Sequence, residues 1–173
     1  MNENSLAGMM SSERQDWATP PPFLEWIKGH FGFEPDLDAA AAAHNTKAPQ
    51  YYTEEENGLF QKWFGKVWVN PPFGSALPSW VDKAILESRR DEVECVFMLI
   101  PARTDTKYFH EKIARYASYV YFVKGRFEFR FNPELKNPKG CALFPSMLVI
   151  FDSNYIQTEL KTLYVPLEAR RWD

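Results

Sequence analysis

Long apolar runs are missing from this sequence. No stretch comes near the roughly 18 uninterrupted apolar residues that a membrane-spanning helix needs, and residues 1–16 combine neither the basic start nor the apolar stretch of a secretory signal. A soluble protein of the cytoplasm, with no membrane partner, is therefore expected. Cysteine is scarce: Cys95 and Cys141 stand outside any CxxC or Cys/His cluster, which excludes a disulfide framework and leaves no metal site expected. Excess positive charge is lacking too. The 20 Lys/Arg against 23 Asp/Glu give a net charge of -3, which argues against a protein that coats nucleic acid without selectivity. That charge is unevenly spread, because residues 103–139 hold nine Lys/Arg and four Asp/Glu, a local +5 that leaves -8 elsewhere. One segment can face a polyanion.

What is present suits one globular domain: 173 residues, of which 45% are hydrophobic and 16% aromatic, suffice for a core. Residues 1–15 are rich in Ser, Asn and Glu without an apolar period and are expected to form a flexible tail, with the domain over 16–173. Thr19-Pro20 reads as an N-cap followed by proline in the first turn of a helix over 20–30, with Phe23, Trp26, Ile27 and Phe31 at helical spacing and Gly32 as the stop. Asp36-Leu37-Asp38-Ala39 reads as a short strand, and 51–60 as an aromatic and acidic connection. Val67-Trp68-Val69 is a β-prone run that Asn70-Pro71-Pro72 must end, since two prolines remove backbone donors. A helix opens at Pro78-Ser79, 96–100 is a buried-type strand, and 105–117 returns to helical period. Later, 120–123 leads through Lys124-Gly125 into the alternating 126–131, which reads as a hairpin. Residues 146–151 give another apolar strand and 162–167 a weak one that Pro166 confines to an edge. The order predicts an α/β sheet, mostly parallel with antiparallel C-terminal strands, whose ligands bind at the strands' C-terminal edges.

Asn70-Pro71-Pro72-Phe73 follows an apolar strand directly, the context that separates a catalytic motif from a chance proline pair. Methylation of an exocyclic amine needs acceptors that orient its hydrogens, so that the nitrogen lone pair points at the methyl donor instead of into the ring. The Asn70 side-chain oxygen and the Pro71 carbonyl are suited to this, Pro72 stiffens the turn, and Phe73 can stack on a base flipped out of the duplex. Arg103, just past an apolar strand, is a candidate contact to DNA phosphate, with ion pairing to Asp105 as the alternative. Lys124, Arg126 and Arg130 on the polar face of the expected hairpin are further candidates.

Taken in order along the chain, these and neighbouring segments resemble the phage-type DNA N-6-adenine methyltransferases, related to the Dam group. The matching pieces are Trp17-Ala18-Thr19-Pro20, Asp36-Leu37-Asp38-Ala39-Ala40, 45–53 with Tyr51-Tyr52-Thr53, Asn57-Gly58-Leu59, and Val67-Trp68-Val69-Asn70-Pro71-Pro72-Phe73. Leu99-Ile100-Pro101-Ala102-Arg103-Thr104-Asp105-Thr106, Lys124-Gly125-Arg126-Phe127 and Pro145-Ser146-Met147-Leu148-Val149-Ile150-Phe151 complete the set. The resemblance implies a Rossmann-like S-adenosylmethionine-dependent methyltransferase fold and methylation of adenine in double-stranded DNA within a bacterial host cell. It implies that Thr19 and Pro20 meet the methionine end of the cofactor, that Asp36, Asp38 and Ala39 line its pocket, and that Asn57 approaches its adenine. Free backbone donors at a helix N-terminus would suit the cofactor carboxylate, and Asp36 or Asp38 its ammonium. Two departures stand out: the family's broader class carries a glycine-rich cofactor loop where this chain has alanines, and often Asp and Tyr where it has Asn70 and Phe73. Little length remains for a separate recognition domain, so selectivity is expected to be slight or to need a homodimer. The competing readings are a methyltransferase for a protein glutamine or an RNA amine, and a non-catalytic DNA-binding module that has kept the fold.

Overall fold

Strict alternation within three apolar strands divides the core in two. Val67 and Val69, Val96, Met98 and Ile100, and Met147, Val149 and Phe151 pack into one buried cluster. Their sequence neighbours Trp68, Phe97, Leu99, Leu148 and Ile150 pack into another. Because successive strand residues point to opposite faces, a sheet with both faces apolar must be covered on both sides. The computed structural model meets that demand and describes residues 19–129, 140–141, 144–155, 159–163, 165–166 and 168–171. The expected tail over 1–15 lies outside the described residues.

The sheet has seven strands: β1 (Leu37–Asp38), β2 (Gln50–Tyr51), β3 (Gly65–Val69), β4 (Val93–Pro101), β5 (Tyr119–Val123), β8 (Ser146–Asp152) and β9 (Glu159–Leu163), in the order β2-β1-β3-β4-β8-β5-β9. β2, β1, β3 and β4 are mutually parallel neighbours. β8 runs antiparallel between β4 and β5, pairing Cys95 with Asp152 through to Pro101 with Ser146. β4 and β5 are thereby parallel to each other, so β1, β3, β4 and β5 all end at one edge of the sheet.

One face is covered by α1 (Pro21–Phe31) and a 3-10 turn (Glu168–Arg170), the other by α2 (Leu77–Glu87) and α3, a π-helical turn (Phe109–Ile113) continued by Ala114–Tyr116. Phe23 and Ile27 anchor α1, and Gly32 ends it in the left-handed region at φ 65°, its N–H donating to the Lys28 carbonyl at 2.9 Å. Under α2, Glu87 is buried but held by Lys83, Arg90 and the Trp63 N–H, so its carboxyl stays below the usual range despite burial. Burial pushes the Cys95 thiol up to about 12, leaving it protonated and inert. Among the described residues no helix is long and apolar enough to cross a membrane.

Several sequence expectations need correction. Thr19 does not cap α1 with its side chain, since Pro20 occupies the cap position without a side-chain bond. The hairpin joining 120–123 to 126–131 does not form: β5 pairs with β8 and β9, while β6 (Glu128–Phe129) pairs with β7 (Gly140–Cys141) in a separate two-stranded sheet. The seven-residue, buried β8 offers β5 a longer partner than the two-residue β6, and Gly125, at φ 94°, turns the chain away after β5. Residues 130–131 of that expected hairpin, Arg130 among them, lie outside the described residues. β9 does lie at the sheet's edge as expected, but over 159–163 instead of 162–167, and β2 occupies part of what reads as a connection.

Candidate active site

At the common edge, β1, β2 and β3 open onto a cleft of about 980 Å³, within the size range of small-molecule and cofactor sites. Thr19, Asp38, Ala39, Asn57, Asn70 and Pro72 all line it, so four distant segments of the chain meet there. Asn70 leaves β3 where the prolines stop the ladder, and its side-chain nitrogen donates to Thr19 Oγ1 at 3.1 Å. This bond ties the Asn-Pro-Pro-Phe tetrapeptide to the start of α1 across 51 residues of sequence.

Asp38 is nearly fully buried at the end of β1. Its Oδ1 accepts from the Ala40 N–H at 3.3 Å and its Oδ2 from the Lys47 N–H at 2.9 Å. Burial raises its carboxyl to about 6, against the lowering influence of those two amides and the Lys47 charge. Asp36 has a different fate. It is exposed at the opposite end of β1, accepts the Lys66 N–H at 2.8 Å and is absent from the cleft lining, so its role is to brace the turn at Gly65. Strand geometry decides this, because two residues of β1 separate the start of the strand from the ligand edge.

Asn57 lines the cleft and also makes a turn: its φ is 52° and its Oδ1 accepts the Leu59 N–H at 3.2 Å. Sequence reasoning gives Gly58 no role, yet a Cβ there would run into the Ala39 carbonyl oxygen, so only glycine lets this loop close against β1. Lys47 and Trp80 also line the cleft, and sequence reasoning singles out neither as a site residue. The turn residues Asn45 and Thr46 beside Lys47 are the available signal for the first; the second reads as core.

Phe73 is half-buried outside the cleft lining, its ring edge-on to Phe144 with centroids 5.4 Å apart and planes at 89°. Pro71 is buried. Arg103, Lys124 and Arg126 are exposed where β4 and β5 reach the same sheet edge, beyond β3 from the cleft. Among the described residues Arg103 makes no salt bridge to Asp105; its carbonyl instead accepts from Thr106 Oγ1 at 2.7 Å. The nearby cations Lys112 and Lys107 are paired with Asp82 and Glu111 at 2.7 and 3.8 Å. No group of His, Cys, Asp and Glu among the described residues could hold a metal ion.

Parallel strands ending together at a cleft, with an Asn-Pro-Pro-Phe turn at the end of β3, define a Rossmann-like α/β protein with its cleft at the strand edge. The family model for DNA N-6-adenine-methyltransferase (Dam) matches residues 7–169, and the chain belongs to that family. A DNA N-6-adenine-methyltransferase of Haemophilus phage HP1 (strain HP1c1) is 33% identical over 161 residues, covering 92% of this chain and 91% of the phage protein. Among solved structures, a Pyrococcus horikoshii protein provisionally described as an RNA methyltransferase aligns at a TM-score of 0.47 and 14% identity, covering 86% of this chain and 96% of its own. A Thermoplasma acidophilum protein aligns at 0.42 and 13%, covering 88% and 98%.

Proposed function

We propose that this chain methylates the exocyclic amine of adenine in DNA, holding S-adenosylmethionine in the cleft beside β1, β2 and β3 and presenting the amine to Asn70. The observation that carries the reading is the meeting of Asn70, Thr19, Asp38 and Asn57 in one cleft. The donor set suits the cofactor: a buried carboxylate for an ammonium, small alanine side chains for close approach, and a volume sufficient for a nucleoside with an amino-acid tail.

The bound cofactor supplies a methyl group already activated by positive sulfur. What the chain must add is orientation. Asn70 accepts one hydrogen of the amine through its side-chain oxygen and the Pro71 carbonyl accepts the other, keeping the nitrogen lone pair out of the ring. In the bond to Thr19 the Asn70 side-chain nitrogen is the donor, in keeping with its oxygen as the acceptor for the amine. Phe73 stacks on the flipped base, and Arg103, Lys124, Arg126 and Arg130 engage the phosphates on either side.

Transfer of labelled methyl from S-adenosylmethionine to unmethylated duplex DNA tests the reading. The expected product is N-6-methyladenine. Methylcytosine, label confined to RNA or to protein glutamine, or no product where cofactor binds overturns it. For the stacking role, Phe73→Tyr should keep most activity, while Phe73→Leu should lose the roughly 1–3 kcal/mol that stacking supplies. Equal activity of the two would make Phe73 a packing partner of Phe144 alone.

A further inference from the structure

The amino-acid end of the cofactor carries a carboxylate as well as an ammonium, and a carboxylate leaving water needs a donor or a cation. Two backbone sources commonly serve in α/β proteins, the N-terminus of a helix and the loop after the first strand. Both are largely engaged here. α1 begins at Pro20-Pro21-Pro22, three residues without an N–H, and the next amide, of Phe23, donates to the Pro20 carbonyl at 3.0 Å. The donors expected at that helix start are therefore absent.

Most amides of the alanine-rich loop donate within the chain. Ala39 donates to the Trp68 carbonyl and Ala41 to that of Tyr52, both at 3.0 Å. Ala42 donates to Asn45 Oδ1 at 2.9 Å, Asn45 back to the Ala42 carbonyl at 2.9 Å, and Ala48 to Thr46 Oγ1 at 3.3 Å. Ala40 and Lys47 donate to Asp38. With those seven amides engaged, little is left of the cradle that a glycine-rich turn presents.

Lys47 is the one Lys or Arg among the described residues that line the cleft. It is half-buried, and burial lowers its ammonium while Asp38 counteracts that lowering. Its backbone bond to Asp38 Oδ2 pins the two charged residues to one another. We propose that the Lys47 side chain binds the cofactor carboxylate, so that Asp38 and Lys47 together recognise the zwitterionic end of the donor and replace the missing glycine loop with a charge pair. This rests on the placement of S-adenosylmethionine in the cleft argued above.

Calorimetry with two ligands separates the possibilities: S-adenosylmethionine, and its decarboxylated analogue, which keeps the ammonium and the sulfonium. Lys47→Ala keeps the backbone amide that donates to Asp38 Oδ2. It should weaken binding of S-adenosylmethionine about tenfold or more, as loss of a charge-assisted bond does, and change binding of the analogue less than about twofold. Lys47→Arg should recover most of the loss. Equal weakening of both ligands, or no weakening of either, overturns the assignment. Wild-type protein that binds neither ligand overturns the placement of the cofactor itself, and the Lys47 assignment with it.

Discussion

The two sides of the ligand edge are made of opposite materials. Where β1, β2 and β3 end, alanines line the cleft, most loop amides donate within the chain, and one carboxylate stands nearly dry beside the exposed Glu54 and Glu55. Where β4 and β5 end, Arg103, Lys124 and Arg126 reach into solvent. A buried charge recognises a single ligand of fixed shape, since desolvation makes every mismatch costly. Exposed cations act on an extended polyanion, with little geometric demand and strong salt dependence. On the proposed function, one sheet edge serves two kinds of recognition, and Asn70, between them at the end of β3, is where donor and acceptor meet.

The sharpest break between the two sides is expected at Asn70 itself. Asn70→Ala should lower turnover by about 100-fold to 1,000-fold, the usual effect of removing a preorganised transition-state contact. Cofactor affinity by calorimetry should stay within a few-fold; a fully active variant would remove Asn70 from the chemistry. Next in size, Gly58→Ala forces a Cβ into the Ala39 carbonyl and should destabilise the fold by about 1–3 kcal/mol in denaturant titration, with loss of cofactor binding. Gly29→Ala in α1, where nothing lies within 4 Å, is the control and should be neutral or stabilising by up to about 1 kcal/mol.

On the basic side, reversing Lys124, Arg126 and Arg130 together to Glu should weaken DNA binding and reduce the slope of log affinity against log salt by about 2–3, nearly one for each phosphate that is no longer neutralised. Cofactor affinity should not move. An unchanged slope would place the DNA surface elsewhere. The smallest effect is a pH dependence confined to the cleft. With its carboxyl raised to about 6 by burial, Asp38 should bind the cofactor ammonium progressively more weakly as pH falls below that value, and Asp38→Asn should abolish the dependence. Stability has the opposite sign: the folded state holds this proton more tightly than the unfolded chain, whose value is 3.8. The Asp38 contribution is therefore greatest in acid and declines as pH rises from 3.8 to about 6.

Local signals carry much of this arrangement in the sequence. The prolines before Phe23 and Gly32 after Phe31 mark α1, and the apolar run ahead of Asn70-Pro71-Pro72 places the motif at a strand end, as observed. Pairing is harder to read. The alternation of 126–131 announces strand but not partner, and the partner of β5 lies more than 20 residues further along, in β8. Asp36 and Asp38 look alike in sequence, and only the two-residue length of β1 separates a brace at its start from a cleft group at its end. Gly58 reads as an ordinary turn glycine, because its requirement comes from Ala39, brought close only by folding. Lys47 is hidden for a similar reason, since the role proposed for it follows from amides that are already engaged elsewhere in the loop.

The division of the edge can be tested directly by amide hydrogen exchange in two steps. S-adenosylhomocysteine alone should slow exchange across 39–59 and leave 103–106 and 119–127 unchanged; unmethylated duplex DNA added next should slow exchange in those two segments. Protection by the cofactor product at 103–106 or 119–127 with none across 39–59, or protection by DNA confined to 39–59, would contradict the account.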